Sequence, residues 1–289
     1  MAEQNGSIAA AAGTIDVGGD LTVNRMGFGA MRILGKDIFG EPPSREVARQ
    51  TVRRAVELGV NFIDTADSYG PGISEEIISE ALYPYPDDVV ICGKGGRLRE
   101  APTPGEWPND GRPEHLREVC EASLRRLRLE QFPLYCLHHP DEKVPLEDSV
   151  GALVELKQEG KIRHIGLSNV NEDHIRRAQA ITPIVAIENV YTLDQREEAE
   201  PIIDLCEQEQ MVFIPWASIR ETENDKVLKD IAKRHQATTR QVALAWMLAR
   251  SPNVLPIPGT GTPSHVEENI SAARIHLAEA EVNAIDAAH

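Results

Sequence analysis

The chain is short of positive charge: 30 Lys and Arg stand against 46 Asp and Glu, a formal net charge of −16 over 289 residues. That balance argues against nucleic acid and anionic membrane surfaces as partners, since both select basic proteins. No stretch approaches the roughly 18 apolar residues that would span a bilayer. The N-terminus, Met1-Ala2-Glu3-Gln4-Asn5, lacks the basic start of a secretory signal, and Ala9 to Ala12 is too short for its apolar core. There is no C-x-x-C pair. Cys92 and Cys136 fall in expected strands, Cys120 and Cys206 on expected helices, so all four read as buried reduced thiols. Neither a disulfide frame nor a metal site is expected, and the compartment should be reducing and cytoplasmic. Linkers, short-period repeats and low-complexity tracts are also missing, so residues 1–289 read as one domain.

What is present is a regular alternation. Hydrophobic residues make up 41%, enough for a sizeable core, and charged residues 26%, which argues against disorder. Thr14 to Arg25 alternate around Gly18-Gly19-Asp20, the pattern of a β-hairpin. Strand and helix signals then alternate to the end. Ser44 caps a helix to Leu58 with Val47, Thr51, Ala55 and Leu58 on one face. Strands are expected at Met26–Phe28, Asn61–Ile63, Val89–Cys92, Leu134–Leu137, Ile162–Leu167, Ile184–Ile187, Val212–Ile214 and Leu255–Ile257. Eight strand–helix units, with additional helices near Thr239–Arg250 and Ala278–Ala287, predict an α/β fold of the (β/α)8 TIM-barrel type, with an N-terminal β-hairpin and extra C-terminal helices. Gly95 to Pro113 is a long loop between the third strand and its helix, where substrate contacts are expected.

In such a barrel the C-terminal strand ends converge. Asp64 follows the second strand, Lys94 the third and His138 the fourth, and Tyr69 returns from the second loop. A phenol titrates near pH 10, so it is protonated at neutral pH yet a poor acid. A neighbouring ammonium should lower that pKa, and a buried ammonium needs a counter-ion such as Asp64. With an imidazole to orient the oxygen, the set suits proton donation to a carbonyl that receives a hydride. Of the two adjacent histidines, His138 is favoured, and His139 is expected to pack or face the rim.

Specific motifs run through the chain: Phe62-Ile63-Asp64-Thr65-Ala66-x-x-Tyr69-Gly70, Lys94-Gly95-Gly96, Leu134-Tyr135-x-Leu137-His138-x-Pro140 and Gly160-Lys161-Ile162-Arg163-x-Ile165-Gly166-Leu167-Ser168-Asn169. From about Val23 to Leu277 the chain resembles the aldo-keto reductase superfamily, in particular its bacterial short-loop members, some of which reduce pyridoxal. The resemblance implies reduction of an aldehyde or ketone to an alcohol, with Asp64, Tyr69, Lys94 and His138 as the catalytic tetrad and Tyr69 as proton donor. It implies NADP(H) bound across the barrel mouth, and the sequence has no G-x-G-x-x-G opening a helix. Ser168 and Asn169 would hold the carboxamide and Trp216 would stack on the nicotinamide. Ala30, Met31 and Arg32 would border the cofactor, and Asn269 would contact adenine. Met31, Trp107 and Trp216 would wall the substrate pocket.

Two positions depart from the family pattern. Glu188 stands where a glutamine is usual, and a carboxylate accepts but cannot donate to the carboxamide. At the adenosine end, Gly259, Gly261 and His265 occupy positions where relatives place lysine or arginine. Only His265, Thr260 and helix-start N–H groups remain for a 2′-phosphate, which leaves NAD(H) open as an alternative. The short segment from Ser218 to Asp225 would let cofactor exchange readily. Competing readings are a nicotinamide-binding regulatory subunit with little turnover and a Schiff-base aldolase on Lys94; metal hydrolysis from His138-His139 fits less well.

Overall fold

The apolar alternation becomes two concentric cores. In the computed structural model, which describes residues 7–101, 107–217 and 225–289, seven parallel strands form one sheet in sequence order. They are β3 (Phe28–Gly29), β4 (Phe62–Asp64), β5 (Val90–Gly95), β6 (Phe132–Leu137), β7 (Ile162–Ser168), β8 (Ala186–Val190) and β9 (Val212–Trp216). Successive strand residues point to opposite faces. Phe62, Val90, Cys92, Leu134, Cys136, Ala186, Val212 and Ile214 therefore form an inner apolar layer. The intervening Ile63, Ile91, Tyr135, Leu137, Ile165, Ile187 and Phe213 belong to an outer core packed under the helices.

The hairpin lies where expected, as β1 (Thr14–Val17) and β2 (Leu21–Asn24). Its Val17 and Val23 join the inner layer and cap it at the strand N-terminal end. The sequence reading did not anticipate its anchor: Asp20 pairs with Arg163 at 2.5 Å and His164 at 2.6 Å, at the start of β7.

Helices follow the strands: α1 (Arg45–Glu57), α2 (Ile73–Leu82), α3 (Pro113–Leu127), α4 (Leu146–Gln158), α5 (Glu172–Gln179), α6 (Glu200–Gln208), α7 (Lys226–His235), α8 (Thr239–Arg250), α9 (Pro263–Ser271) and α10 (Glu279–Asp286). Ser44 caps α1 by accepting from the Val47 N–H, as its position suggests. Of the expected face Thr51, Ala55 and Leu58 are buried, and only Val47, 37% exposed, is not. Ala48 and Val52 are buried instead. Helices α8 and α10 are the two extra C-terminal elements.

The eighth expected strand is reduced. Val254 makes a single parallel bridge to Phe213, Leu255 N–H donates to the Phe213 carbonyl at 2.9 Å, and Gly27 N–H donates to the Pro256 carbonyl at 2.9 Å. The segment thus joins both edges of the sheet, but Pro256 and Pro258 have no N–H to extend a ladder. The chain also runs close to β3: a methyl at Gly259 would sit 2.6 Å from the Gly29 carbonyl oxygen. Among the described residues, no helix is long and apolar enough to cross a membrane.

Candidate active site

The same two-residue period that fills the inner layer places polar groups one step above it. Asp64 follows Phe62, Lys94 follows Cys92, Glu188 follows Ala186 and Trp216 follows Ile214, all on the inward face. Parallel register aligns them: Asp64 lies opposite Cys92, Lys94 opposite Cys136, and Ser168 opposite Glu188. The Thr65 and Asp67 N–H groups continue the ladder onto the Cys92 and Lys94 carbonyls at 2.9 and 3.3 Å. That fixes the start of the loop that returns Tyr69. His138 is fixed through its own N–H, which donates to the Gly95 carbonyl at 2.8 Å. Gly95 has to be glycine because a methyl there would collide with the Tyr135 hydroxyl.

The structure therefore brings Asp64, Tyr69, Lys94 and His138 together, all buried. Lys94 Nζ pairs directly with Asp64 Oδ1, donates to the Thr65 carbonyl at 3.2 Å, and lies 3.2 Å from Glu188 Oε2. It stands 5.4 Å from the Tyr69 ring centroid. The His138 ring meets Tyr69 edge-on at 5.8 Å, and Trp107 meets it edge-on at 6.2 Å. Ser68 hydroxyl lies 3.4 Å from His138 Nδ1.

Burial decides the protonation states. It pushes the Tyr69 phenol up, against the pull of Lys94. The ammonium does pull this pKa down as expected, but desolvation of a phenolate in this site outweighs one cation, so the net shift is upward. Burial also lowers Lys94, but Asp64 and Glu188 more than reverse it and hold the amine well above its ordinary value. A Schiff-base lysine needs the opposite shift, so the aldolase reading loses its nucleophile. Burial, with Lys94 nearby, keeps His138 far below its usual range and hence neutral. Glu188 is pushed up to about 8 by burial and by the Asp64 charge. It is therefore a carboxylic acid at neutral pH, with a proton to donate, and not the acceptor-only carboxylate expected from its residue type.

A cavity of about 320 Å³ opens above this cluster. Its wall includes Tyr69, His138, Met31, Arg32, Trp107, Trp216, Ser168, Asn169 and Glu188. Trp216 is only half-buried as a residue, yet its indole Nε1 is sealed without a partner. Asn169 adopts a left-handed φ of 58° and donates from Nδ2 to the His138 carbonyl at 2.9 Å and to Ser168 Oγ at 3.0 Å. Ala30, Thr260, His265 and Asn269 do not line this cavity. Thr260 Oγ1 instead lies 3.4 Å from His265 Nδ1 beside the start of α9, and Asn269 is buried in that helix. His139 turns aside, its Nδ1 near Asn109 at 3.1 Å. Residues 218–224 of the short loop read from the sequence lie outside the described residues.

Two contributors were missed. Arg97 lines the cavity with its guanidinium 5.5 Å from the Trp107 ring. The basic residue just past Lys94-Gly95-Gly96 was the available signal. Asn189 forms a two-way bond with the backbone of Val170, at 3.0 and 2.7 Å, and so braces the Ser168-Asn169 turn; nothing in the local sequence marks it. The inner thiols Cys92 and Cys136 lie 3.8 Å apart and, with Glu188, bring potential ligand atoms within 4.8 Å of one another. Contact with Cys136, together with burial, holds the Cys92 thiol well above its usual range, which disfavours the thiolate that a metal needs.

Comparison with known proteins agrees with this geometry. The sequence profile described as the Aldo/keto reductase family matches residues 25–289. An uncharacterised oxidoreductase of Schizosaccharomyces pombe is 45% identical over 272 residues, covering 93% of this chain and 87% of its own. Pyridoxine 4-dehydrogenase of Escherichia coli is 37% identical over 276 residues, covering 93% and 96%. The crystal structure of an aldo/keto reductase from Klebsiella pneumoniae in complex with NADP and acetate superposes with a TM-score of 0.80 at 26% identity, covering 95% and 94%.

Proposed function

This chain belongs to the aldo/keto reductase family, and on that footing we propose that it reduces an aldehyde or ketone to the alcohol with NADP(H), Tyr69 acting as general acid. The nicotinamide, when bound, supplies the hydride and is left with one more positive charge. The observation that carries the reading is a buried phenol whose ring centroid lies 5.4 Å from the Lys94 ammonium at the floor of the cavity. Negative charge growing on a carbonyl oxygen there is met by the Tyr69 proton, and Lys94 stabilises the phenolate left behind. Neutral His138 holds the oxygen without competing as an acid. Asp64 keeps Lys94 charged.

Ser168, Asn169 and Glu188 form one wall suited to a carboxamide, and the unpartnered indole of Trp216 offers a flat apolar face to a ring. NADP(H) is the cofactor in this reading, as in the Klebsiella relative solved with NADP. The Val254–Ile257 segment then serves as the eighth stave of a closed (β/α)8 barrel in a single domain. The aromatic wall of Trp107 and Trp216, with Arg32 and Arg97 beside it, suits a polar aromatic aldehyde. Pyridoxal is the first candidate, given the pyridoxine dehydrogenase relative.

Turnover with NADPH and with NADH against a panel of aldehydes that includes pyridoxal tests the reading. Activity that disappears in Tyr69→Phe while cofactor still binds supports it. Equal rates in the two proteins would remove Tyr69 from the chemistry.

A further inference from the structure

Two carboxyl groups share one ammonium at the cavity floor, and they share it unequally. Asp64 pairs directly with Lys94 Nζ through Oδ1. Glu188 Oε2 lies 3.2 Å from the same nitrogen but is not aligned for a hydrogen bond and has no other partner. The carboxyl groups of Asp64 and Glu188 converge on that one nitrogen, which sets them side by side. Both side chains are 3% exposed and that of Lys94 is 0% exposed, so water does not separate the charges. Neighbouring carboxyls in such a site do not both ionise. Asp64, with the better contacts, keeps the charge, and Glu188 keeps the proton.

The groups facing Glu188 bear this out. Asp64 comes from β4, Cys92 and Lys94 from β5, and Cys136 from β6, with Tyr69 and His138 on the same cavity. β9 brings no titratable residue. Arg32 and Arg97 line the cavity without pairing with Glu188. Its titration near 8 agrees with the geometry.

We propose that Glu188 is the internal proton store for carbonyl reduction: its carboxyl proton passes to Lys94 Nζ as Lys94 gives one to the Tyr69 phenolate. This rests on the reductase reading above. The step balances. Hydride and the Tyr69 proton leave for the substrate carbon and oxygen, Lys94 reprotonates the phenolate, and Glu188 reprotonates Lys94. One negative charge then rests on Glu188 at the moment that the cofactor has gained one positive charge, so the buried site keeps its net charge. Solvent returns the proton to Glu188 after the alcohol leaves. A glutamine at this position has no such proton to give.

Infrared spectra of the cofactor-free protein, titrated from about pH 6 to about pH 10, test the store directly. A carboxylic-acid C=O band that shifts on carbon-13 glutamate labelling, which leaves the Asp67 band in place, should be present at neutral pH, fade through about pH 8 and be missing in Glu188→Gln. Absence of a label-sensitive band at neutral pH, or its survival in Glu188→Gln, would overturn the proposal. In single-turnover reduction, the wild-type rate should fall over the same pH range. Glu188→Gln should be at least about fivefold slower at neutral pH and flat across that range; superimposable profiles would overturn the proposal. The labelled wild-type spectrum stands without any substitution should Glu188→Gln fail to fold. A missing band in an active reductase removes the proton store alone. Failure to reduce any carbonyl removes the reductase reading and the proposal together, whatever the spectrum.

Discussion

Two buried charge clusters in this molecule have the same composition and opposite settings. At the cavity floor one cation, Lys94, faces two carboxyls, Asp64 and Glu188. Behind it, between α2 and α3, one cation, Arg126, pairs with Glu75 at 2.5 Å, with Asp67 close by. Lys94 is wholly buried, whereas the Arg126 side chain keeps 28% of its surface exposed. Asp64 and Glu188 line the cavity described above; Asp67 and Glu75 do not. Burial dominates in both, pushing Asp67 up to about 8 just as it does Glu188. The contrast teaches that a perturbed carboxyl does not by itself mark a reaction site. A cavity and a transferable proton beside it are also required.

Substitutions that separate turnover from stability sharpen this contrast. The largest effect is expected from Tyr69→Phe, with kcat down on the order of 10²-fold or more and cofactor affinity, read by fluorescence quenching, nearly unchanged. Lys94→Met should come next, with kcat down about 10²-fold and the pH dependence of thermal stability altered as Asp64 loses its counter-ion. For Arg126→Leu the order reverses. Chemical denaturation should show a loss of about 2 kcal/mol, below the usual figure for a sealed pair because the guanidinium is partly solvated, while kcat stays within about twofold. A large kcat loss in Arg126→Leu would erase the distinction between the clusters.

The smallest effect concerns pH. Asp67 and Glu188 both titrate higher folded than unfolded, so the native state binds the extra protons. Their stabilisation is complete below about pH 4, near the ordinary carboxyl range, and is lost as pH rises through about 8. Melting temperature should therefore decline over that interval, and Asp67→Asn should flatten part of the decline by a few degrees. An unchanged slope in that variant would place the proton elsewhere.

Much of the site was legible because polar residues stand out at the ends of apolar strands. Asp64, Lys94 and His138 each interrupt a hydrophobic run, and the parallel register does the rest. The protonation of Glu188 was not legible, since it depends on a neighbour 124 positions away in the chain, at residue 64. The net direction of the Tyr69 shift was not legible for a similar reason: sequence names the ammonium but not the degree of burial. The eighth strand was visible as apolar residues, but its prolines limit it to a bridge. Val47 failed by one helical position, where Ala48 and Val52 carry the contact instead.

The hairpin has a kinetic consequence. Val17 and Val23 stopper the strand N-terminal end, and Asp20 latches that stopper to Arg163 and His164. The cavity lies at the other end, where β3, β4, β7 and β9 finish in Gly29, Asp64, Ser168 and Trp216. Exchange of any ligand with solvent is thereby directed to the side of the sheet that carries Tyr69 and His138.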